Sequence, residues 1–526
     1  MLKSIGIMIG ILSVGLNIAQ ANISCGKDKK ACDLVWFEEP EITNPMQCGD
    51  TQGPLTYLVK YNTPNPIAFT STIITLSGDT SPDSTLTVTQ GACNTSNKTC
   101  PIYVSINAAP STSLDPFPQE ISRQLVVTPD TLQSEPLRSN IEVEIDCGAN
   151  SKCATVGFYN DPSQILPLSY TSNNSGVDWL VSTALPLPTG RNYQLREISC
   201  LSSGKCSAVG YYVDTDSIQV PLSYTSNNWG MDWLVSTTLP PQQGGVFNVL
   251  NSNSCTSTGK CAAVGNYTQG TQNVPLSYTS SNFGVTWVLS SSLPAVQGSV
   301  DVLESVSCLS GGQCVAVGFY LNGSAQQVPS TYKSSNFGDT WAISSTPPPT
   351  QGIYSNTLYS VSCVSSGKCA AVGVYYNGSN NVPLFYNSSD FGDSWALSTT
   401  PTPVLGQNYN LQGISCVNGG QCSAVGFYKN GSQNIPISYT SINFGVNWVL
   451  STSPPPVVGN FDNLLESVSC TSNGQCSTVG YYSNGTNFTP LSYTSSNFGD
   501  TWALSTTLPP PQDVRPNALF SISCVE

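Results

Sequence analysis

A single pattern of apolar and polar positions repeats along residues 141–526. Each copy contains a short apolar run that ends in cysteine, as in Ile198-Ser199-Cys200, and a second that begins with cysteine, as in Cys206-Ser-Ala-Val-Gly210-Tyr-Tyr. A third run follows, such as Pro221-Leu-Ser-Tyr224-Thr-Ser226, and a tryptophan opens a fourth, Trp233-Leu-Val-Ser-Thr237. Short runs of this kind, bounded by Gly, Pro, Asn and Ser clusters, are typical of β-strands. The pattern therefore predicts an all-β protein with four strands per copy.

Paired cysteines mark the period of this repeat. Two cysteines separated by five residues recur about every 54 residues, and the pairs are Cys147/Cys153, Cys200/Cys206, Cys255/Cys261, Cys308/Cys314, Cys363/Cys369, Cys416/Cys422 and Cys470/Cys476. Each pair brackets a tight hairpin between the first and second strands, and we expect it to form a disulfide. Four strands per copy in seven copies are typical of β-propeller blades. We therefore predict a seven-bladed β-propeller over residues 141–526.

The loop between the third and fourth strands of each copy resembles a known motif. Two copies read Ser388-Ser-Asp390-Phe-Gly392-Asp-Ser-Trp395 and Ser495-Ser-Asn497-Phe-Gly499-Asp-Thr-Trp502. This resembles the Asp-box, or BNR repeat, S-x-D-x-G-x-x-W, of a β-propeller family that includes exo-sialidases and non-catalytic scaffolds. Where one copy has Asp390, the others have asparagine: Asn174, Asn228, Asn282, Asn336, Asn443 and Asn497. Asparagine keeps an acceptor oxygen, so the turn should survive.

The resemblance implies a sialidase-like fold, a structural turn without a catalytic role, and a tryptophan that packs between blades. The tryptophan is present in every copy, at Trp179, Trp233, Trp287, Trp341, Trp395, Trp448 and Trp502.

The chain before the repeat divides into two parts. Residues 1–21 are typical of a secretory signal peptide, with Lys3 ahead of an apolar run and Ala19-Gln20-Ala21 as the cleavage site. Alternating segments such as Thr56–Tyr61 predict a small immunoglobulin-like β-sandwich over residues 22–140.

Six cysteines lie outside the repeated pairs, namely Cys25, Cys32, Cys48, Cys93, Cys100 and Cys524. Cys93 and Cys100 are close enough in sequence to form a local pair. The segment Leu519–Cys524 is a further copy of the first strand, and we expect it to pack against the first blade. Either Cys524 bonds a cysteine of the N-terminal domain, or the chain is a truncated relative of something longer.

Composition excludes several functional classes. With 31 acidic and 17 basic residues the net charge is −14, which is the wrong sign for nucleic acids and anionic membranes. The chain has no histidine, so His-dependent catalysis and His-liganded zinc are excluded. Its 20 cysteines favour an oxidising compartment, and no apolar segment is long enough to span a membrane. We expect a monomer that is secreted, periplasmic or on the cell surface, with no cofactor and no metal site.

The position four residues before the first cysteine of each hairpin varies from copy to copy. It is occupied by Arg196, Asn251, Glu304, Tyr359, Gln412 and Glu466, and Phe520 precedes Cys524 in the same way. If the first strand is innermost, these side chains surround the mouth of a central channel, where different hydrogen-bonding groups would form a ligand site. The alternative is a solvated strand entry whose residues vary without consequence.

Arginine content separates two functions. The sialidase pattern needs three arginines that clamp the substrate carboxylate, whereas the predicted propeller contains Arg191, Arg196 and Arg515, of which one, Arg196, begins an inner strand. Closure of the ring by the C-terminal strand would bring the three near one another, where they could hold an anionic group. The sequence favours a non-catalytic propeller that binds an extracellular protein or glycan, and we assign no catalytic residue. The alternative is a degenerate sialidase-like glycoside hydrolase, for which Glu304 and Tyr359 are the nearest approach to a Tyr/Glu pair.

Overall fold

The structure is a computed structural model in which every described element is a β-strand. It describes residues 34–38, 46–47, 51–61, 69–75, 85–90, 99–107, 119–129, 137–146, 151–352, 354–399, 405–512 and 515–525. The chain divides into two compact units, residues 1–149 and 150–526. The predicted signal peptide lies outside the described residues, and so does Cys93 of the predicted Cys93/Cys100 pair.

The first unit contains two four-stranded sheets. Its strands are β1 (Leu34–Glu38), β2 (Met46–Gln47), β3 (Thr51–Tyr61), β4 (Phe69–Thr75), β5 (Thr85–Gln90), β6 (Thr99–Asn107), β7 (Gln119–Pro129) and β8 (Leu137–Asp146). One sheet has the order β1-β3-β6-β5 and the other the order β2-β8-β7-β4. All neighbouring strands are antiparallel except β2 and β8.

The second unit contains seven four-stranded antiparallel sheets within its described residues. Sheet 1 consists of β9 (Lys152–Asn160), β10 (Ile165–Ser172), β11 (Leu180–Val181) and, from the far end of the chain, β36 (Asn517–Val525). Sheet 2 is β12 (Arg191–Cys200), β13 (Cys206–Val213), β14 (Gln219–Ser226) and β15 (Leu234–Val235); sheet 3 is β16 (Asn248–Cys255), β17 (Cys261–Gln269), β18 (Gln272–Ser280) and β19 (Val288–Leu289).

The same four-strand order continues to the last sheet. Sheet 4 is β20 (Asp301–Cys308), β21 (Cys314–Leu321), β22 (Gln327–Ser334) and β23 (Ala342–Ile343); sheet 5 is β24 (Asn356–Cys363), β25 (Cys369–Tyr376), β26 (Asn381–Ser388) and β27 (Ala396–Leu397). Sheet 6 is β28 (Gln407–Cys416), β29 (Cys422–Asn430), β30 (Gln433–Ser441) and β31 (Val449–Leu450); sheet 7 is β32 (Asn463–Cys470), β33 (Cys476–Ser483), β34 (Phe488–Ser495) and β35 (Ala503–Leu504).

One strand of each sheet contributes to a closed ring. We call these the inner strands: β36, β12, β16, β20, β24, β28 and β32. Each inner strand packs against the inner strand of the next sheet, and β32 packs against β36, which packs against β12. The ring encloses the central channel, so the second unit is a β-propeller.

The C-terminal strand closes the ring. β36 is antiparallel to β9, with Cys524 opposite Cys153, and a disulfide joins these two cysteines. The expectation that Leu519–Cys524 packs against the first sheet is therefore confirmed. The predicted Cys147/Cys153 bond is wrong, as is a bond from Cys524 to the N-terminal domain. Because the chain enters sheet 1 at its second strand, the cysteine that faces Cys153 comes from the last strand; Cys147 lies outside the described residues.

The other six predicted pairs are disulfides in the structure. Each joins the last residue of an inner strand to the first residue of the strand beside it, and the bonds are Cys200–Cys206, Cys255–Cys261, Cys308–Cys314, Cys363–Cys369, Cys416–Cys422 and Cys470–Cys476. The cysteines therefore close the hairpins that the spacing predicted.

The turn after the third strand is built the same way with aspartate or asparagine. In sheet 5, Ser394 N–H donates to Asp390 Oδ1 at 2.9 Å, and in sheet 3, Thr286 N–H donates to Asn282 Oδ1 at the same distance. Gly284 has a φ of 83°, a conformation that glycine adopts without strain. The following tryptophan packs between sheets, since Trp233 of sheet 2 contacts the core of sheet 1 and its Nε1–H donates to Ser169 Oγ at 3.0 Å.

Candidate functional site: the central channel

Every inner strand contains a β-bulge at the same place. In sheet 2 the pairing with β13 skips from Leu195 to Glu197, so Arg196 is left without a partner on the neighbouring strand. The corresponding unpaired residues of the other inner strands are Asn251, Glu304, Tyr359, Gln412, Glu466 and Phe520. We call the seven residues the bulge ring. The variable position found in the sequence is thus the bulge position of each inner strand.

A glycine in the neighbouring strand makes room for each bulge. Gly210 pairs with Leu195, and a Cβ at Gly210 would lie 2.0 Å from the backbone oxygen of Gln194. No side chain fits at that distance, so this close approach requires glycine. Glycine occupies the equivalent position in each sheet, at Gly157, Gly265, Gly318, Gly373, Gly426 and Gly480.

The bulge ring lies part-way along the channel. Asn251 is the fourth of the eight residues of β16, and each member of the ring is half-buried. The sequence placed these residues at the channel mouth, but the bulge sits near the middle of the inner strand. The ring is therefore deeper in the channel than expected.

Arg196 extends towards the axis of the channel. Its Cζ lies 5.2 Å from the ring centre of Phe520 in sheet 1 and 5.6 Å from that of Tyr211 in its own sheet. Burial raises the pKa of Glu304 in sheet 4 and of Glu466 in sheet 7, and the charge of Arg196 offsets part of each increase. These carboxyls belong to sheets on opposite sides of sheet 2, and the one guanidinium acts on both.

The guanidinium nevertheless makes no direct ion pair within the described part of the chain. No carboxylate oxygen there lies within 4.0 Å of its nitrogens, and the buried Nε–H has no hydrogen-bond acceptor. Arg196 and its two carboxyls are therefore electrostatically coupled across a gap.

Burial controls the protonation of the two carboxyls. It raises the pKa of Glu304 to about 7, an increase that the charge of Arg196 partly offsets. Burial also raises the pKa of Glu466 to about 7, against the effects of Arg196 and of a hydrogen bond from Tyr481. Glu304 has no hydrogen-bond donor among the residues that the structure describes.

A third carboxyl, Glu197, was not found from the sequence. It follows the bulge of β12, where the other inner strands have serine or, at Gly413, glycine. Ser521 Oγ donates to Glu197 Oε1 at 2.6 Å and accepts the N–H of Ile198. Burial raises the pKa of Glu197 to about 7 despite the hydrogen bond from Ser521. A comparison of the copies at this position, as well as at the bulge, would have identified it.

The remaining members of the bulge ring differ in their contacts. Tyr359 is a neighbour of Glu304, and burial together with that carboxyl's negative charge raises its pKa. Asn251 Nδ2 donates to the backbone oxygen of Leu303 at 3.0 Å. The Gln412 amide makes no hydrogen bond to any described residue. The Asn251 amide is thus hydrogen-bonded to the protein, whereas the Gln412 amide has no described protein partner.

A ring of serines surrounds the channel next to the cysteines. Each serine accepts the backbone N–H of the first cysteine in the next sheet, at 2.9 to 3.1 Å, and the serines are Ser199, Ser254, Ser307, Ser362, Ser415, Ser469 and Ser523. These bonds satisfy edge donors of every inner strand, so the edges are held by the neighbouring sheet. This explains the Ser-Cys sequence at the end of each inner strand.

The other two predicted arginines have different partners. Arg191 is exposed and its Nη2 donates to Ser217 Oγ at 2.8 Å, in the turn between β13 and β14. Hydrogen bonds from Ser163 and, to a smaller extent, the charge of Arg515 lower the pKa of Asp161 in the turn between β9 and β10. The contacts of Arg196, by contrast, are all within the channel.

Among the described residues, no group of three or more metal-ligating side chains could hold an ion. The described residues contain no helix with the length and apolar character that crossing a membrane requires.

Comparison with known proteins gives only distant structural similarity. No protein-family model and no curated protein sequence matches this chain. Among solved structures, a Hadza microbial sialidase, Hz136, is similar with 12% identity and a TM-score of 0.39, over 73% of this chain and 74% of that one. A PL25 ulvan lyase is similar with 10% identity and a TM-score of 0.43, over 66% of this chain and 90% of that one.

A protein of unknown function from Dyadobacter fermentans is a further structural relative. It has 12% identity and a TM-score of 0.40, over 58% of this chain and 96% of that one. At such identities and TM-scores, nothing about substrate or activity is transferred from these proteins to this chain.

Proposed function

We propose that this chain is an exported, non-catalytic β-propeller of the Asp-box type that binds a glycan in its central channel. The seven sheets are its blades. The observation that carries the proposal is the bulge ring, because chemically different side chains occupy the bulge in a repeat whose other positions are nearly invariant. A scaffold that varies at one ring of inward positions is suited to building a single ligand site.

Unsatisfied hydrogen-bonding groups favour a hydroxyl-bearing ligand. Arg196 Nε–H has no acceptor, the Glu304 carboxylate has no donor, and the Gln412 amide has neither among the described residues. A sugar hydroxyl both accepts and donates, so the several hydroxyls of one sugar can pair with Arg196 and with Glu304. The rings of Tyr359 and Phe520 add apolar surface at the same level. This chemistry fits a sugar ring better than a flat protein surface, which needs roughly 800 Å² per partner.

Export is part of the same proposal. The signal-like residues 1–21 direct the chain out of the cytosol, and the seven disulfides of the described part of the propeller are typical of an oxidising compartment.

Screening the purified chain from residue 22 on a glycan array tests the proposal. We expect binding to a defined set of glycans, and loss of that binding in Gln412→Ala, whose side chain has no protein hydrogen bond to lose. Lys260→Ala, at a hairpin tip outside the channel, is the control and should bind as the parent does. Absence of binding to any glycan by the folded chain, or equal binding by Gln412→Ala, would refute the proposal.

A second candidate function, that of a sialidase-like hydrolase, is suggested by the proximity of Tyr359 and Glu304. Sialidase chemistry uses a cationic clamp on the substrate carboxylate, and the channel offers one guanidinium for it. We therefore expect no turnover of a fluorogenic sialoside. Turnover that is abolished by both Glu304→Gln and Tyr359→Phe would establish the hydrolase instead.

A further inference from the structure

The charges in the channel are unequal. The described contacts place three carboxyls there, Glu197, Glu304 and Glu466, and one guanidinium, Arg196. Tyr211, Tyr359 and Tyr481 face the same cluster, and burial raises the pKa of Tyr359 and Tyr481, so these two are neutral near pH 7. When the carboxyls are ionised, the channel therefore has an excess of negative charge.

The position of Arg196 determines what an anionic ligand would meet. Arg196, Glu304 and Glu466 occupy the same bulge position of three inner strands, and the guanidinium lies within 4.0 Å of neither carboxylate. A ligand carboxylate that reached Arg196 would face these two like charges in a half-buried site. Like charges repel more strongly where burial lowers the effective dielectric constant below that of water. The guanidinium cannot bind a third carboxylate without this repulsion.

Hydrogen bonding distinguishes neutral from acidic ligands in the same way. A hydroxyl can accept from Arg196 Nε–H and donate to the ionised Glu304, which satisfies both groups. A carboxylate can accept from Arg196 but has no proton to donate to Glu304. A ligand whose carboxylate occupies this position therefore leaves Glu304 unpaired and adds charge beside it.

We propose that the channel selects neutral, hydroxyl-bearing sugars and excludes acidic ones, with Glu304 and Glu466 as the excluding groups. This inference rests on the proposed glycan-binding function and names the ligand class of the same site. The selection is by repulsion as much as by attraction, since the groups that accept from a sugar hydroxyl also reject a carboxylate.

Matched ligand pairs at pH 8 test the inference. The probes are neutral hexose oligosaccharides and their hexuronic acid counterparts, together with lactose and sialyllactose. We expect the neutral member of a bound pair to bind at least about tenfold more tightly than its acidic counterpart. In the double variant Glu304→Gln/Glu466→Gln this preference should fall to about threefold or less, because the amides carry no charge and can donate to a carboxylate. Asp500→Asn, in a turn outside the channel, is the control for overall charge and should keep the preference of the parent.

A second measurement uses the unsubstituted chain and so does not depend on whether the variants fold. Lowering the pH from 8 to 5.5 protonates the channel carboxyls while a hexuronic acid stays ionised, so the neutral preference should shrink. Tighter or equal binding of the acidic counterpart at pH 8 would overturn the inference, as would a preference that neither pH nor the double substitution changes. If an acidic glycan binds at least as tightly as its neutral counterpart and Gln412→Ala abolishes that binding, the glycan-binding function stands and this inference fails. If no glycan of either kind binds, it is the proposed function that fails.

Discussion

At the scale of single residues, the channel carboxyls link stability to pH. Burial raises the pKa of Glu197, Glu304 and Glu466 from 4.5 to about 7. The folded chain thus holds these protons more tightly than the unfolded chain does. Their stabilising contribution is complete below the unfolded pKa and is lost as the pH rises through about 7.

We predict that the Glu304→Gln variant is more stable than the parent at pH 8 and has a weaker pH dependence between pH 5 and 8. The expected gain is about 1 to 3 kcal/mol, because the amide carries no charge to desolvate. Denaturant titrations at both pH values measure it. Asp339→Asn gives the opposite sign, since hydrogen bonds from Ser291 lower the pKa of that carboxyl and stabilise its charged form. A Glu304→Gln variant that is less stable than the parent at pH 8 would contradict the account.

The glycine opposite each bulge gives a second residue-scale prediction. Gly210→Ala places a Cβ 2.0 Å from a backbone oxygen, so the strands must separate, and we expect a loss of about 3 kcal/mol or more. Gly323→Ala is the matched control, because a Cβ at that turn meets nothing within 4 Å, and its effect should stay within about 0.5 kcal/mol. Equal effects of the two substitutions on the unfolding midpoint would show that the bulge of β12 does not require glycine at position 210 of β13.

Individual residues also show the limits of prediction from the sequence. Arg196 and Glu304 stood out because they break a repeated position. Glu197 also breaks a repeated position, the one after the bulge, where the other inner strands have serine or glycine. The sequence prediction covered the bulge position alone and did not include it. The bulge itself could not be read from the pattern, since it depends on how two strands pair, and it moved the site from the mouth into the channel.

At the scale of strands and hairpins, the repeat was strongly predictive. The cysteine spacing gave the correct hairpin in sheets 2–7, because both cysteines of a pair lie next to one another in sequence and in space. It failed at Cys153, whose partner Cys524 is 371 residues away in the sequence. Local spacing contains no information on a contact between the two ends of a ring.

Each hairpin disulfide should contribute modestly to the free energy of unfolding. In the double variant Cys308→Ser/Cys314→Ser, a loop with a sequence separation of 6 is released, which corresponds to about 2 kcal/mol in the chain-entropy model. We expect a folded protein with a slightly lower unfolding midpoint under non-reducing conditions. Complete loss of folding in this variant would show that the hairpins depend on their disulfides far more than chain entropy predicts.

At the scale of the whole molecule, the disulfide that closes the ring should contribute more to the free energy of unfolding than a hairpin disulfide does. The bond Cys153–Cys524 spans 371 residues, for which the same model gives about 6 kcal/mol. We predict that Cys153→Ser/Cys524→Ser lowers the unfolding midpoint clearly more than the hairpin variant does. Deletion of residues 517–526 should have a still larger effect, because it removes the inner strand of sheet 1 as well. A closing variant as stable as the hairpin variant would contradict the ring model.

Closure also matters for the site, because Phe520 and Ser521 of the last strand contact Arg196 and Glu197 of sheet 2. The channel cluster therefore assembles only when the two ends of the propeller meet.

Calorimetric titration tests most directly whether the bulge ring binds a glycan. One glycan identified on the array is titrated into the parent, Arg196→Ala, Gln412→Ala and Lys260→Ala. We predict that both channel variants weaken binding at least about tenfold while Lys260→Ala stays within about twofold of the parent. Unchanged affinity in both channel variants, with the variants folded, would contradict the claim.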